Sequence, residues 1–180
     1  FREHYRADQR STVYESMRSS FKKRVANLGD FYNDKEGYFL SHPGAKNQMP
    51  VSWIGGASAA YGLILLADYI DNAELRTRAN SAMDFIANNS LSPSGFGYSG
   101  YQDGVWSYKG VIGWSLDPRY QRVGIPSRIA SEATFFMLRA YQYEAERGRL
   151  HENWLNYATS NLDAAVEVWN KFGEFGYAYS

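Results

Sequence analysis

The 180-residue chain is long enough to form one sizeable hydrophobic core. Its 19 basic and 19 acidic side chains give a formal net charge of zero, so we expect no general attraction to nucleic acid or to an anionic membrane. The chain has no cysteine, which excludes disulfides and thiol chemistry, and no run of about 20 apolar residues that would span a membrane.

A first helix is predicted from about Arg6 to Leu28, because apolar residues recur there at helical spacing among basic ones. The basic residues indicate the solvated face of a helix rather than a nucleic-acid site. The chain opens at Phe1 without a methionine or a signal peptide, which suggests a processed or excised piece. The lack of cysteine leaves the compartment open, and a secreted or periplasmic location is slightly favoured.

Four more helices follow in two pairs. The helix predicted at Ser52–Ile70 is apolar or small all round, which indicates burial on all sides, and capping-box spacing at Asp71–Glu74 starts an amphipathic third helix. The fourth, Ser127–Arg147, is again almost wholly apolar, and the fifth, His151–Phe172, is again amphipathic. Between the pairs, Asn89–Ile125 is predicted to be one long irregular segment, which in a compact domain is usually functional.

The two pairs of helices read as copies of one unit. Both Trp53 and Arg128 are the middle residue of a Ser-x-Ile sequence, and they are 75 positions apart. Leu75 and Trp154 occupy matching positions in the third and fifth helices, 79 positions apart. The second offset also aligns Phe96-Gly97-Tyr98 with Phe175-Gly176-Tyr177. A repeat of this length cannot bury its own apolar face, so its copies must stack on one another.

This alternation of amphipathic outer and apolar inner helices resembles the (α/α) toroid of the six-hairpin glycosidases and the related polysaccharide lyases and epimerases. The resemblance implies an all-α fold of helical hairpins in two layers, with long aromatic, glycine-rich loops on one rim that form the substrate cleft. It also implies that residues 1–180 are a single domain, an incomplete part of a larger (α/α) barrel. A second chain or a missing segment would then complete the ring.

Aromatic faces stack on sugar rings while neighbouring carboxylates and amides bind hydroxyls, so the loop residues suit an oligo- or polysaccharide. The candidate substrate-binding residues are Trp53, Tyr98, Tyr101, Gln102, Trp106, Trp114, Asp117 and Arg122. In the first loop, Asp34 and Glu36 are further candidates, although Asn33–Gly37 is also typical of a solvated turn.

The candidate catalytic residues are Asp103, Glu132 and Arg128. Burial of Asp103 between aromatic residues would favour the protonated acid that general-acid catalysis needs, whereas the alternative is an ordinary Asp-Gly turn. Glu132 on an apolar helix needs a purpose or a partner, and Arg128 supplies either an orienting charge or a plain intrahelical ion pair.

Four activities are compatible with these residues. A glycoside hydrolase needs two carboxylates that flank the bond, and a polysaccharide lyase needs a cation for the uronate and a proton-moving tyrosine. A non-catalytic helical-repeat module that binds glycans or proteins is the third. The segment Tyr101–Trp106 also resembles the Gln-and-Trp repeat of triterpene cyclases, but only one copy is present and the acidic protonation motif is absent.

No cofactor or metal is expected. His4, His42 and His151 lack the paired spacing of a zinc site. There is also no phosphate-binding loop, no dinucleotide fingerprint and no nucleophile elbow.

Overall fold

The computed structural model describes residues 14–20, 23, 31–42, 44–45, 47–52, 55–108, 125–174 and 178–179. The chain divides into two compact units, Phe1–Phe31 and Tyr32–Ser180. In the first unit, residues 14–20 and 23 are helical and are called α1, which confirms the predicted first helix over those positions. The rest of that predicted helix lies outside the described residues.

The described residues of the second unit include four helices: α2 is Ala57–Tyr69, α3 is Ala73–Asn89, α4 is Ser127–Ala145 and α5 is Glu152–Phe172. The predicted pairs are confirmed, but α2 begins five residues later than expected. The backbone explains this difference, because the Val51 amide donates to the Ser99 carbonyl at 3.0 Å and Gly55 has a φ of 86°, which a right-handed helix does not permit.

Each pair of helices packs as a hairpin, and the two hairpins pack side by side. The helix α2 contacts α3 and α4, and α5 contacts α4 and α3. Between hairpins, the Tyr143 hydroxyl donates to Asp68 Oδ2 at 2.6 Å, and Trp154 Nε1 donates to Asp84 Oδ1 at 2.7 Å. These bonds join α4 to α2 and α5 to α3.

The predicted repeat is present, but its register in α2 and α4 differs from the predicted one. An offset of 75 would match buried Ala60 with Phe135, which is 56% exposed. Ala130 lies 73 positions after Ala57, and this offset matches the buried residues Ala57, Ala60, Ile64 and Ala67 with Ala130, Ala133, Met137 and Ala140. Two residues turn a helix by about 200°, so the predicted register placed opposite faces together. In α3 and α5 the offset of 79 matches buried Leu75 with buried Trp154.

The helix predicted at Ser52–Ile70 was expected to be buried on all sides, and this is wrong; the almost wholly apolar fourth helix is not fully buried either. In α2, Gly62 and Tyr69 are exposed, and in α4 Phe135 is exposed. None of the helices in the described part of the chain has the length and apolar character that crossing a membrane requires.

The chain is mostly helical, but the expectation of an all-α fold fails in the loops, where the described residues form seven short strands. They are β1 Tyr32–Asn33, β2 Tyr38–Phe39, β3 Gln48–Pro50, β4 Gly100–Gln102, β5 Val105–Ser107, β6 Ile125–Pro126 and β7 Ala178–Tyr179. All pairings are antiparallel: β1 with β2, β4 between β3 and β5, and β6 with β7. The segment predicted to be irregular therefore contains a β-hairpin, and residues 109–124 of it lie outside the described residues.

Candidate functional site

An aromatic cluster lies where the strands meet α3. Its members are Tyr38 from β2, Phe85 from α3, Tyr101 from β4 and Trp106 from β5. The Phe85 ring lies 4.8 Å from Tyr38, 5.1 Å from Tyr101 and 5.4 Å from Trp106. Tyr101 and Trp106 are paired across β4 and β5, so alternation along the strands directs both rings toward α3. Tyr38 and Tyr101 are buried, and Trp106 is half-buried.

A carboxylate from the first loop joins this cluster. The Tyr101 hydroxyl donates to Glu36 Oε2 at 2.7 Å, and Glu36 is half-buried. Burial raises the pKa of Tyr101, and the hydrogen bond and charge of Glu36 and the charge of Asp103 raise it further. Burial, together with the nearby charge of Glu36, likewise raises the pKa of Tyr38 to about 12. Glu36 thus bonds Tyr101 directly, whereas Asp103 acts on this tyrosine only through its charge.

Asp103 occupies the tip of the β4–β5 hairpin. It has a φ of 49° and Gly104 a φ of 87°, as an Asp-Gly two-residue hairpin turn requires. Asn47 holds the turn from β3, since its Nδ2 donates to Asp103 Oδ1 at 3.2 Å and its carbonyl accepts from the Asp103 amide at 3.1 Å. Asp103 is exposed, so the expected burial of this carboxyl group is wrong. A hairpin tip projects beyond the aromatic cluster, which leaves the carboxylate in contact with water.

The neighbouring loop provides a second aromatic pair. The Tyr98 and Tyr108 rings are 4.6 Å apart and both are half-buried. Burial, together with the adjacent Tyr108, raises the pKa of Tyr98. Phe96 packs against Ala130 of α4 and Ala164 of α5, with Tyr108 beside them. The loop that carries the hairpin is thus anchored to both helices of the second pair.

The Gly97 backbone completes this anchor. Its amide donates to Asn161 Oδ1 of α5 at 2.9 Å, and a Cβ atom at this position would lie 2.2 Å from the Tyr157 hydroxyl oxygen. Only glycine lets the loop approach α5 so closely. The Phe-Gly-Tyr sequence therefore marks a docking point between this loop and α5.

The other predicted catalytic pair forms an ion pair within α4. Arg128 Nε lies 3.8 Å from Glu132 Oε2 one helical turn away, and Glu132 is half-buried whereas Arg128 is exposed. This contact is the structural alternative considered from the sequence. Gln102 is exposed beside Asp103. Trp53, Trp114, Asp117 and Arg122 lie outside the described residues.

Sequence reasoning missed how Glu36 and Asn47 complete the site. Both residues belong to turn-forming sequences, and each contacts a residue more than fifty positions away, so no spacing pattern pairs them. In the described parts of the chain, no three His, Asp or Glu residues are grouped to hold a metal ion.

Comparisons with protein-family models, with curated proteins and with solved structures find no match to this chain.

Proposed function

We propose that this protein acts on carbohydrate as a glycoside hydrolase, and that Glu36 and Asp103 beside Tyr101 are its reacting carboxylates. The observation that carries the proposal is the hydrogen bond from Tyr101 to Glu36 at the aromatic cluster, with the exposed Asp103 carboxylate two residues further along the same hairpin. Glycoside hydrolysis needs two carboxyl groups in different environments, one to donate a proton and one to act as nucleophile or base.

The two carboxylates differ in the required way. Glu36 is half-buried against aromatic rings, so it is assigned the acid role. Asp103 is exposed at the hairpin tip, so it is assigned the role of base or nucleophile. Gln102 and the accessible part of Trp106 lie next to it along the same hairpin and are assigned to sugar binding. In the alternative assignment, Glu132 is the second carboxylate and Arg128 orients it.

The proposed fold is part of an (α/α) toroid with α2 and α4 inside and α3 and α5 outside. The connection from α2 to α3 is three residues long and that from α4 to α5 is six, whereas the connection from α3 to α4 carries the β4–β5 hairpin. This asymmetry supports the proposal, because it gathers the aromatic strands at the end of the helices where α2 begins. Oligo- or polysaccharide would bind there.

The alternatives differ in how well the site suits them. A lyase that uses tyrosine as a base needs a phenolate, and the raised pKa values of Tyr98 and Tyr101 disfavour one. A non-catalytic glycan-binding module is the second candidate, since Asp103 also has a structural role in its turn. A terpene-cyclase-like activity is the least favoured proposal, because the Tyr101 and Trp106 rings face inward onto Phe85.

A product screen on neutral and uronic polysaccharides tests the proposal. New reducing ends without absorbance from unsaturated products are the expected result. Unsaturated products would replace the hydrolase with a lyase, and a rise in melting temperature without product would replace it with a binding module. No new reducing ends, no unsaturated products and no change in melting temperature would together refute a carbohydrate function.

A further inference from the structure

The flank of the second hairpin that faces away from the first is apolar and open. Phe135 of α4 is 56% exposed, and on α5 Leu162 is 46% exposed and Val166 is 55% exposed. Between the two helices runs a groove of about 240 Å³, lined mainly by apolar atoms of Phe96, Phe135, Leu138, Leu162 and Ala165. An exposed apolar surface of this kind marks an interaction site.

The internal repeat indicates what kind of structure covers such a flank. Leu162 and Ala165 correspond to Met83 and Ile86 in the first hairpin, where both side chains are fully buried. There, α4 packs on α2 and α5 packs on α3. Tyr61 of α2 also contacts Phe136 of α4, with their ring centroids 6.1 Å apart. The first hairpin's flank is thus covered by a helical hairpin, whereas no described helix covers the equivalent flank of the second hairpin.

We propose that this flank is the interface of a two-fold symmetric dimer of the chain. A two-fold rotation about an axis parallel to the helices places α4 of one copy against α5 of the other. These two helices run antiparallel. Because the rotation does not shift residues along the axis, residues that are level within one copy are also level across the interface. The groove puts Leu138 of α4 level with Leu162 of α5, and the next residues are exposed Arg139 and exposed Asp163. In the dimer, Arg139 of each copy therefore lies beside Asp163 of the other.

Charge complementarity favours a second copy as the occupant. The middle of α5 is acidic at Asp163 and Glu167, whereas the middle of α4 is basic at Arg139, and all three side chains are exposed. Since the pattern is self-complementary, one surface can pair with itself as an isologous interface requires. A whole aromatic side chain has a surface of about 200 Å². Since Phe135 and Trp169 are each about half exposed, together they leave roughly 200 Å² of apolar surface open per copy. A small apolar ligand would fill the groove but would leave Val166 uncovered.

Sedimentation velocity of the whole chain between about 1 and 100 µM is the test, because self-association follows mass action. We expect the mass to rise from 20.5 kDa to twice that value with concentration. The variant Leu162→Lys should stay at the monomer mass throughout. The matched control is Leu150→Lys, since Leu150 is 67% exposed in the α4–α5 connection and should dimerise as the wild type does. Circular dichroism melts of both variants check that they remain folded.

A charge exchange distinguishes this interface from any other apolar contact. Arg139→Asp and Asp163→Arg should each weaken dimerisation at least about tenfold, since like charges then face each other across the interface. Combined in one chain, they restore the opposite pairs and should bring the dissociation constant back to within about threefold of wild type. A wild-type monomer over the whole range, equal effects of the two lysine variants, or no rescue by the charge exchange would each overturn the proposal.

Discussion

Gly97 is the position where a single methyl group should have the largest effect on the loop that carries the candidate site. In the variant Gly97→Ala, the new Cβ atom would lie 2.2 Å from the Tyr157 hydroxyl oxygen and 2.9 Å from its Cζ atom. Tyr157 is only 1% exposed, so its ring has no free space to move into. Either the ring or the loop must shift, and a loop shift breaks the bond from the Gly97 amide to Asn161.

The expected loss in the free energy of unfolding has two parts, overpacking at Tyr157 and loss of the bond to Asn161. Overpacking a buried site costs about 1–3 kcal/mol, and loss of one buried hydrogen bond adds about 1 kcal/mol. The free energy of unfolding of Gly97→Ala should therefore fall by about 2–4 kcal/mol in urea denaturation. Adding Tyr157→Phe removes the closest atom but leaves the ring, so it should restore only part of the loss.

The matched control for this prediction is Gly62→Ala in α2. A Cβ atom at Gly62 would meet nothing within 4 Å, and this glycine is helical. Alanine there should raise the free energy of unfolding by about 0.5–1 kcal/mol. A Gly97→Ala variant within about 0.5 kcal/mol of wild type would refute the close docking of the loop on α5.

Three further predictions concern stability. Trp154→Phe leaves a carboxylate of α3 without its indole donor and should cost about 1.5–3 kcal/mol in urea denaturation, whereas no loss would exclude that bond. Burial raises the pKa of Tyr38 and of Tyr157 from the ordinary 10.0 to about 12. The neutral side chains therefore make their full contribution to the free energy of unfolding below pH 10, and this contribution is lost as pH rises toward 12. Urea midpoints between pH 9 and 12 should fall, and a smaller fall in a Tyr38→Phe variant is the check. Arg149→Ala leaves fully buried Glu144 without its guanidinium partner and should cost about 3 kcal/mol, recovered in part by Glu144→Gln in a thermal melt.

The helices were predictable because their sequence periods agree with their packing. The end of α5 at Phe172 follows from Gly173, which adopts the left-handed conformation at the C-cap. The start of α2 was not predictable from composition, since the residues of Ser52–Gly56 are apolar or small like those of the helix that follows. Its boundary depends on the pairing of Val51 with Ser99, a contact between distant segments.

The repeat was detectable, but its register was not fixed by the residues that first suggested it. The shared Ser-x-Ile sequence at Ser52 and Ser127 precedes α2 but opens α4, so it aligned positions with different structures. Four matched buried positions in α2 and in α4, three of them alanine in each helix, give the correct offset of 73. Small residues at helix contacts carry this information, and a search for shared large residues overlooks it.

The candidate site shows the same division between local and distant contacts. The Asp103-Gly104 turn was recognisable locally, as was the ion pair between Arg128 and Glu132. The contact of Glu36 with Tyr101 depends on how two loops fold against α3, and nothing in the spacing predicts it.

The most direct test of the proposed site is the rate of reducing-end release by three variants, measured on the polysaccharide that the wild type cleaves best. Glu36→Gln and Asp103→Asn should each lower kcat at least about 100-fold. Both should fold normally, since glutamine preserves the acceptor for Tyr101 and asparagine tolerates the left-handed turn. Glu132→Gln should retain activity within about tenfold, because the proposal gives Glu132 a structural role. Full activity in the first two variants, or loss in Glu132→Gln alone, would contradict the assignment of Glu36 and Asp103 as the reacting carboxylates.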